Sequence, residues 1–147
     1  MSLDRLDFLA ARLKQLPQAL TVATGQVVSQ HKHFLEDANT AQLAEGLDSD
    51  GRAIGPEYAP LTVAIKQLKG QPTDRVTLRD EGNFYSGVVL RLDGAGFEMV
   101  GTDEKTPPLV EKYGDEILGI SDEHLEEFRT DYVRPELELK TRELLRV

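Results

Sequence analysis

The acids of the turn Asp48-Ser49-Asp50-Gly51 are the residues whose spacing comes nearest to a metal site. A calcium loop of the EF-hand type carries acidic ligands at positions 1, 3 and 5, glycine at position 6 and glutamate at position 12. When Gly51 takes position 6, Asp48, Asp50 and Glu57 fall on positions 3, 5 and 12. Position 1 is then Gly46, which supplies no carboxylate. The segment is therefore predicted to be an Asp/Gly turn without a metal ion.

The histidines do not form a metal site either. His31 and His33 are two residues apart, so on a helix their side chains point to nearly opposite sides and cannot bind one ion. His31 lies on an apolar stripe and is predicted to be packed or to lie in an interface, whereas His33 is predicted to be solvated. His124 falls in the first turn of the last predicted helix, without a recognisable partner for a role as general base.

No arrangement of residues typical of catalysis is found. Ser86 precedes Gly87, but the Gly-x-Ser-x-Gly pattern of a nucleophile elbow is missing. The acidic pair Glu126-Glu127 is predicted to be a solvated face. The glycines around Ala95 suit a hairpin turn, because no Gly-Lys-Ser/Thr follows them as in a phosphate loop. The chain is therefore predicted not to be an enzyme and to use no cofactor.

Composition narrows the class of protein further. The 147 residues include 26 Asp and Glu against 17 Lys and Arg, which gives a net charge of -9. Such a chain gains nothing from counterion release on phosphates, so general nucleic-acid binding is not expected. It has no apolar run of the roughly 20 residues that a membrane-spanning helix needs, and its first residues do not resemble a signal peptide. Its lack of cysteine suits a protein made in the cytoplasm.

The periodicity of apolar residues predicts long helices at the N-terminus. A stripe over residues 3–16 follows Ser2, a suitable N-cap, and Pro17 is expected to interrupt or restart the helix. A second helix of about 27 residues is predicted from Leu20 to near Gly46, a plausible C′ glycine. The last helix is predicted to begin after Ser121 and to be kinked or split by Pro135.

Shorter elements are predicted between these helices. A hairpin is expected from 88–92 and 97–100 around the turn 93–96, with short strands at 76–78 and 117–120. A short helix is predicted over 61–69, a turn or helical turn over 80–85, a polar loop over 102–108 and a helical turn over 109–113, closed by Gly114. The fold class is α+β: long N-terminal helices, a small antiparallel β-sheet with a hairpin, and a C-terminal helix. We predict one domain, 1–147, with a helical part (1–46), a loop and sheet core (47–121) and the C-terminal helix (122–147).

Five segments in a fixed order resemble a known family. They are Gly46-Leu47-Asp48-Ser49-Asp50-Gly51, Tyr58-Ala59-Pro60-Leu61-Thr62 followed by Lys66, Leu78-Arg79-Asp80-Glu81-Gly82-Asn83-Phe84-Tyr85-Ser86, Val100-Gly101-Thr102, and Ile117-Leu118-Gly119-Ile120-Ser121. In this order they resemble the tail-completion and virion-morphogenesis (neck) proteins of tailed bacteriophages. The match covers roughly residues 43–135. It departs from the family at Glu81, where the usual residue is threonine, and over 106–116, where the family's aromatic and His-Gln-Gly segment and its basic-proline run are replaced.

The resemblance implies a structural virion protein that joins the tail to the head connector. Such a protein acts as a ring-shaped homo-oligomer between neighbouring connector and tail proteins, is assembled in the host cytoplasm and resides in the neck of the virion. Packaged DNA passes through the ring without specific binding, and no membrane is involved. The motifs place six candidate subunit-interface residues in loops: Tyr58, Pro60, Arg79, Asp80, Phe84 and Tyr85.

Two alternatives stay open at this stage. The same six residues can simply hold the fold: Arg79 and Asp80 can pair within their turn instead of across subunits, and Phe84 and Tyr85 can be core aromatics. The chain can also be a small acidic cytosolic regulator or inhibitor that binds a basic protein partner.

Overall fold

The computed structural model describes residues 2–94 and 96–147. Ala95, in the predicted hairpin turn, lies outside the described residues. The helices are α1 (Leu3–Gln30), α2 (Lys32–Ala44), α3 (Pro60–Leu68), α4 (Asn83–Ser86), α5 (Thr106–Tyr113), α6 (Asp122–Phe128) and α7 (Arg134–Leu145). Strands β1 (Val88–Asp93) and β2 (Gly96–Gly101) form an antiparallel hairpin. The α+β class and the hairpin predicted from the sequence are confirmed.

The chain divides into two compact units. Unit 1 contains the described residues of Met1–Lys32, Leu92–Phe97 and Glu126–Val147. Unit 2 contains His33–Arg91 and Glu98–Leu125. Both units are discontinuous in sequence, so each is completed by segments from distant parts of the chain.

In unit 1, helices α1 and α7 pack against each other. Ser2 caps α1 as predicted, since its Oγ accepts the N–H of Arg5 at 3.2 Å. The prediction that Pro17 interrupts the helix is wrong, because α1 continues through it. Proline removes one hydrogen bond but keeps a helical φ. Pro17 is exposed, so water can solvate the carbonyl group that loses its partner.

The N-terminal helices instead separate at His31, so the predicted single helix from Leu20 to Gly46 is also wrong. His31 has φ −113° and ψ 22°, and its ring stacks on Tyr132 with centroids 4.3 Å apart. The end of α2 matches its prediction. Gly46 has φ 78° and donates to Leu43 O, while Leu47 N–H donates to Gln42 O, both at 2.9 Å. These two bonds form a Schellman motif, in which glycine accepts the left-handed conformation.

The C-terminal helix changes its hydrogen-bonding pattern a few residues before Pro135, the residue predicted to kink or split it. Ser121 precedes α6 and its carbonyl group accepts the N–H of Leu125 at 2.9 Å. A π-helical segment, Arg129–Val133, separates α6 from α7, and Pro135 lies at the start of α7. Proline suits a first helical turn because its missing N–H has no partner to lose there. In the described residues no helix is both long and apolar enough to cross a membrane.

The core of unit 2 is built from apolar residues of α2, α4, the hairpin and the loops. They are Leu35, Ala38, Leu43, Ile54, Val76, Leu78, Phe84, Val88, Met99, Ile117 and Ile120. The hairpin contributes one face of this core, while an ion pair between Arg91 and Glu98, 2.5 Å apart, lies on its exposed face. The edge of β1 is held by α2, since Glu36 Oε2 accepts the N–H of Leu90 at 2.9 Å.

The two predicted short strands are wrong. Segment 76–78 is buried but irregular, and segment 117–120 continues a short 3-10 helix, Asp115–Ile117. In the second segment, side chains of α2 replace a neighbouring strand. Asn39 Nδ2 donates to Ile117 O at 2.9 Å and Asn39 Oδ1 accepts the N–H of Gly119 at 3.0 Å. Gln42 Nε2 donates to Gly119 O at 3.1 Å. We call Asn39 and Gln42 the amide pair.

Helix α5 is longer than predicted. It begins at Thr106, so the final part of the expected polar loop is helical. Pro107 and Pro108 lie in its first turn, where proline is tolerated. Gly114, with φ 96°, ends α5 as expected. The region predicted as a turn or helical turn over 80–85 contains the single turn α4 at its end.

Candidate functional site

A cleft of about 290 Å³ lies in unit 2 among α3, α4, α5 and the loop before α4. It gathers four of the six predicted interface residues: Tyr58, Arg79, Asp80 and Phe84. The cleft is also lined by two lysines, Lys66 of α3 and Lys105, and by two residues of α5, Leu109 and Tyr113. Two of the five motif segments, the one from Tyr58 to Lys66 and the one that begins at Leu78, therefore meet at this cleft.

Tyr58 is half-buried and fixes the irregular segment 76–78. Its hydroxyl oxygen accepts the N–H of Thr77 at 2.9 Å and that of Leu78 at 3.3 Å. These bonds satisfy two buried backbone N–H groups, which in a β-sheet would donate to a neighbouring strand. Leu78 adopts φ 56°, a left-handed conformation that is unusual for leucine. The chain turns here with Leu78 buried in the core and Arg79 exposed.

Lys66 is the buried cation of the cleft, with 8% of its surface exposed. Its Nζ donates to Arg79 O at 2.9 Å and to Gln71 Oε1 at 3.4 Å. The same ammonium group lies 4.8 Å from the centroid of the Tyr58 ring, within cation–π range. Among the described residues it forms no ion pair with a carboxylate.

One interpretation of the sequence was that Arg79 and Asp80 pair with each other within the turn. The structure does not show this pair. Asp80 instead binds Lys69 Nζ at 2.7 Å, and the Arg79 guanidinium lies over the Tyr85 ring at 5.6 Å. The hydrogen bond from Lys69 lowers the pKa of Asp80, and the same bond raises the pKa of Lys69. Both side chains of this ion pair are about half exposed, so it contributes little to stability.

Phe84 and Tyr85 differ in burial. Phe84 is a core residue, while Tyr85 is half-buried and its hydroxyl donates to Thr77 O at 2.5 Å. Burial disfavours the phenolate and raises the pKa of Tyr85 to about 12, although the charge of Arg79 acts in the opposite direction. Pro60, the remaining predicted residue, is exposed at the first position of α3 and does not line the cleft.

The raised pKa of Tyr85 leads to a titration experiment. A pKa raised by folding contributes stability that is complete below the unfolded value of about 10 and is lost as pH rises towards 12. Of the four tyrosines in the chain, Tyr85 is therefore expected to give a late step in phenolate absorbance, which Tyr85→Phe removes. The urea-unfolded chain, where all tyrosines titrate near 10, is the control. An unchanged high-pH curve in folded Tyr85→Phe would contradict the assignment.

The other sequence motifs have structural roles. Asp48 Oδ1 accepts the N–H groups of Asp50 and Arg52, both at 2.9 Å, which confirms the predicted turn. His33 is exposed, as predicted, and its Nδ1 lies 3.0 Å from Glu36 Oε1. His124 Nδ1 lies 2.9 Å from both Ser121 Oγ and Gln42 Oε1. Searching residues 2–94 and 96–147 finds no cluster of metal-ligating side chains.

Sequence reasoning did not identify Lys69, Lys105, Leu109 and Tyr113 as neighbours of the motif residues. Lys66 was noted as part of a motif but not as a buried residue. Lys66 lies on a short helix and Lys69 caps the same helix, so the sequence does not indicate which of the two lysines is buried. Their convergence depends on how α3 and α5 pack around the turn at Arg79.

Comparisons with protein-family models, with curated proteins and with solved protein structures found no match to this chain.

Proposed function

We propose that this chain is a structural virion protein of a tailed phage. In this role it is a tail-completion or neck component that joins the tail to the head connector as part of an oligomeric ring. Its work is assembly and not catalysis. Its partners are further copies of itself and neighbouring connector and tail proteins, and it resides in the virion after assembly in the host cytoplasm.

The observation that carries the proposal is that the motif segments hold one another within unit 2. Tyr58 binds the backbone that leads into the turn at Arg79, and Lys66 binds the carbonyl group of Arg79. Thr102, in the Val-Gly-Thr segment, donates its backbone N–H to Gly87 O at 2.8 Å. Mutual bonding gives a physical reason for these short motifs to occur together in one chain, since each motif supplies hydrogen-bond partners for another.

The two remaining segments are joined in the same way. Ser49 N–H, in the acidic turn, donates to Glu116 O at 2.8 Å, directly before the segment that begins at Ile117. An alanine-sized side chain at Gly119 would lie 2.9 Å from Ser49 Cβ, so glycine permits this close approach. The five segments therefore form two hydrogen-bonded groups in unit 2: the first and fifth are joined to each other and to α2, and the second, third and fourth are held around the turn at Arg79.

Exposed apolar side chains support an assembling role. On α3, Leu61 is 72% exposed and Leu68 is 89% exposed. On α1, Leu3, Leu6 and Leu13 are also about half exposed or more. Subunits of a closed ring meet through two different surfaces, which bury such residues in neighbouring copies. Their number suits a protein whose final contacts form on assembly.

The proposal is tested with a nonsense mutation in this gene, in the phage or prophage that carries it. Electron microscopy of the lysate is expected to find DNA-filled heads beside free tails of normal appearance. Supplying the intact gene from a plasmid should restore joined, infectious particles. Infectious particles formed without the protein would contradict the proposal and favour the acidic regulator.

The plasmid also allows the exposed apolar residues to be tested. Leu61→Gln combined with Leu68→Gln removes apolar surface without changing charge, and both side chains are largely free of core contacts. We expect the double variant to remain folded but to lose complementation, because interface burial of these leucines is lost. Gln67→Ala, an exposed change on the same helix, is the matched control and should complement normally.

A further inference from the structure

The cleft of unit 2 holds an excess of positive charge in a chain whose net charge is -9. Its lining brings together three cations and two carboxylates: Lys66, Arg79, Lys105, Asp80 and Glu81. Lys69 binds Asp80 from outside the lining. The region therefore contains four cations against two carboxylates. Of the two acids, Asp80 is paired with Lys69, whereas Glu81 forms no ion pair among the described residues.

Lys66 is the feature that points to a ligand. It is more than nine-tenths buried, yet its contacts are carbonyl oxygens and the face of Tyr58. A buried charge that has lost water is stabilised most by an opposite charge nearby. Within the described residues no carboxylate lies at ion-pair distance from it, so an incoming anion would supply the missing partner.

The lining of the cleft also has apolar surface. Leu109 and Tyr113 of α5 are half-buried, and Phe84 and Leu78 are core residues. Arg79 and Lys105 are exposed at the rim. A ligand that fits these surfaces carries a carboxylate next to an apolar or aromatic side chain, which is a combination found in peptides.

We infer that this cleft binds an acidic segment of a partner protein. The carboxylates of the segment face Lys66, Arg79 and Lys105, while an adjacent apolar side chain packs on Leu109 and Tyr113. The small local excess of charge matches one or two carboxylates, whereas a long nucleic acid would meet the repulsion of a chain with net charge -9. The inference goes beyond the neck role and does not depend on it.

The test uses the full chain and a short fluorescent peptide in which two glutamates flank one phenylalanine. Fluorescence anisotropy is expected to give saturable binding at low salt. Replacing every glutamate of the peptide by glutamine should weaken binding at least about tenfold, since the charge complementarity is lost. Arg79→Glu combined with Lys105→Glu should weaken it by a similar factor. Both side chains are exposed, so this variant is expected to fold.

The matched control is Arg52→Glu combined with Arg91→Glu, which changes net charge equally at exposed positions outside the cleft lining. It should bind the peptide almost as the native chain does. Failure of saturable binding, equal binding of the glutamine peptide, or equal losses in the two double variants would overturn the inference. Sedimentation of the chain alone distinguishes the source of the segment. If a second copy supplies it, native oligomers should disperse in the Arg79→Glu, Lys105→Glu variant.

Discussion

Asn39→Ala is expected to lower the free energy of unfolding by about 2–4 kcal/mol, the largest effect of a single side-chain truncation proposed for this chain. Asn39 is fully buried. Its amide group satisfies both Ile117 O and Gly119 N–H, at 2.9 and 3.0 Å. Alanine leaves both backbone groups without this partner. A buried unsatisfied group costs about 1–3 kcal/mol, as for Ile117 O, and the partly buried Gly119 N–H costs less. The measurement is urea unfolding followed by circular dichroism.

Thr40→Ala provides the control for this variant on the same helix. The Thr40 hydroxyl donates to carbonyl groups of its own helix, those of Glu36 and Asp37. Its removal should change stability by less than about 0.5 kcal/mol. Hydrogen exchange offers a local measurement, since the Gly119 amide should lose protection in Asn39→Ala. A stability loss as small as that of Thr40→Ala would mean that the amide pair does not hold segment 117–120.

Gly101→Ala is expected to destabilise the protein by about 1–3 kcal/mol through overpacking. A Cβ atom at this position would lie 2.5 Å from Thr106 Cγ2, and closer still to Thr106 Oγ1. Thr106 is itself buried at the start of α5, so its side chain has little room to move. Thermal and urea unfolding of the variant measure the effect.

A second substitution should relieve this clash. In the described part of the chain, the buried hydroxyl of Thr106 has no hydrogen-bond partner, so Thr106→Ala removes the obstructing atoms without breaking such a bond. Combined with Gly101→Ala, it should recover much of the lost stability. Gly25→Ala is the control, because a Cβ there meets its nearest neighbour, Gly94 O, at an ordinary 3.5 Å. In a helix interior this change should be neutral or stabilising. Equal losses from Gly25→Ala and Gly101→Ala would exclude the clash with Thr106 as the cause.

Features determined by neighbouring residues could be predicted from the sequence. The hairpin follows from two apolar runs that flank a turn with glycines, and the ends of helices follow from Ser2, Gly46 and Gly114. Predictions failed where distant side chains supply the backbone's hydrogen bonds. Segments 76–78 and 117–120 have the composition of strands, but Tyr58 and the amide pair bind their backbones instead.

The prediction of the helix boundary near residue 31 failed for a related reason. Proline at position 17 is a local signal of a break, yet an exposed proline costs only one bond and α1 tolerates it. His31 carries no comparable signal in its own neighbourhood. Its partner, Tyr132, is about a hundred residues away.

The candidate site was predictable in part. Motif spacing led to Tyr58, Arg79, Asp80 and Phe84, which the structure brings to one cleft. The spacing did not predict the ion-pair partner of Asp80. Lys69 lies eleven residues earlier in the chain, and the adjacent Arg79 was the nearer candidate. Burial of Lys66 was equally inaccessible. It arises from the packing of α3 over the turn that carries Arg79.

The amide pair also constrains the order in which the protein can fold. The residues that the Asn39 and Gln42 side chains bind lie 77 to 82 positions later in the chain. Contacts of such long sequence separation require closure of a large loop and generally form slowly. During synthesis, α2 emerges well before residues 117–121, so its buried amides must remain hydrated until that segment has also left the ribosome. Native unit 2 therefore cannot be completed before residues 117–121 have emerged.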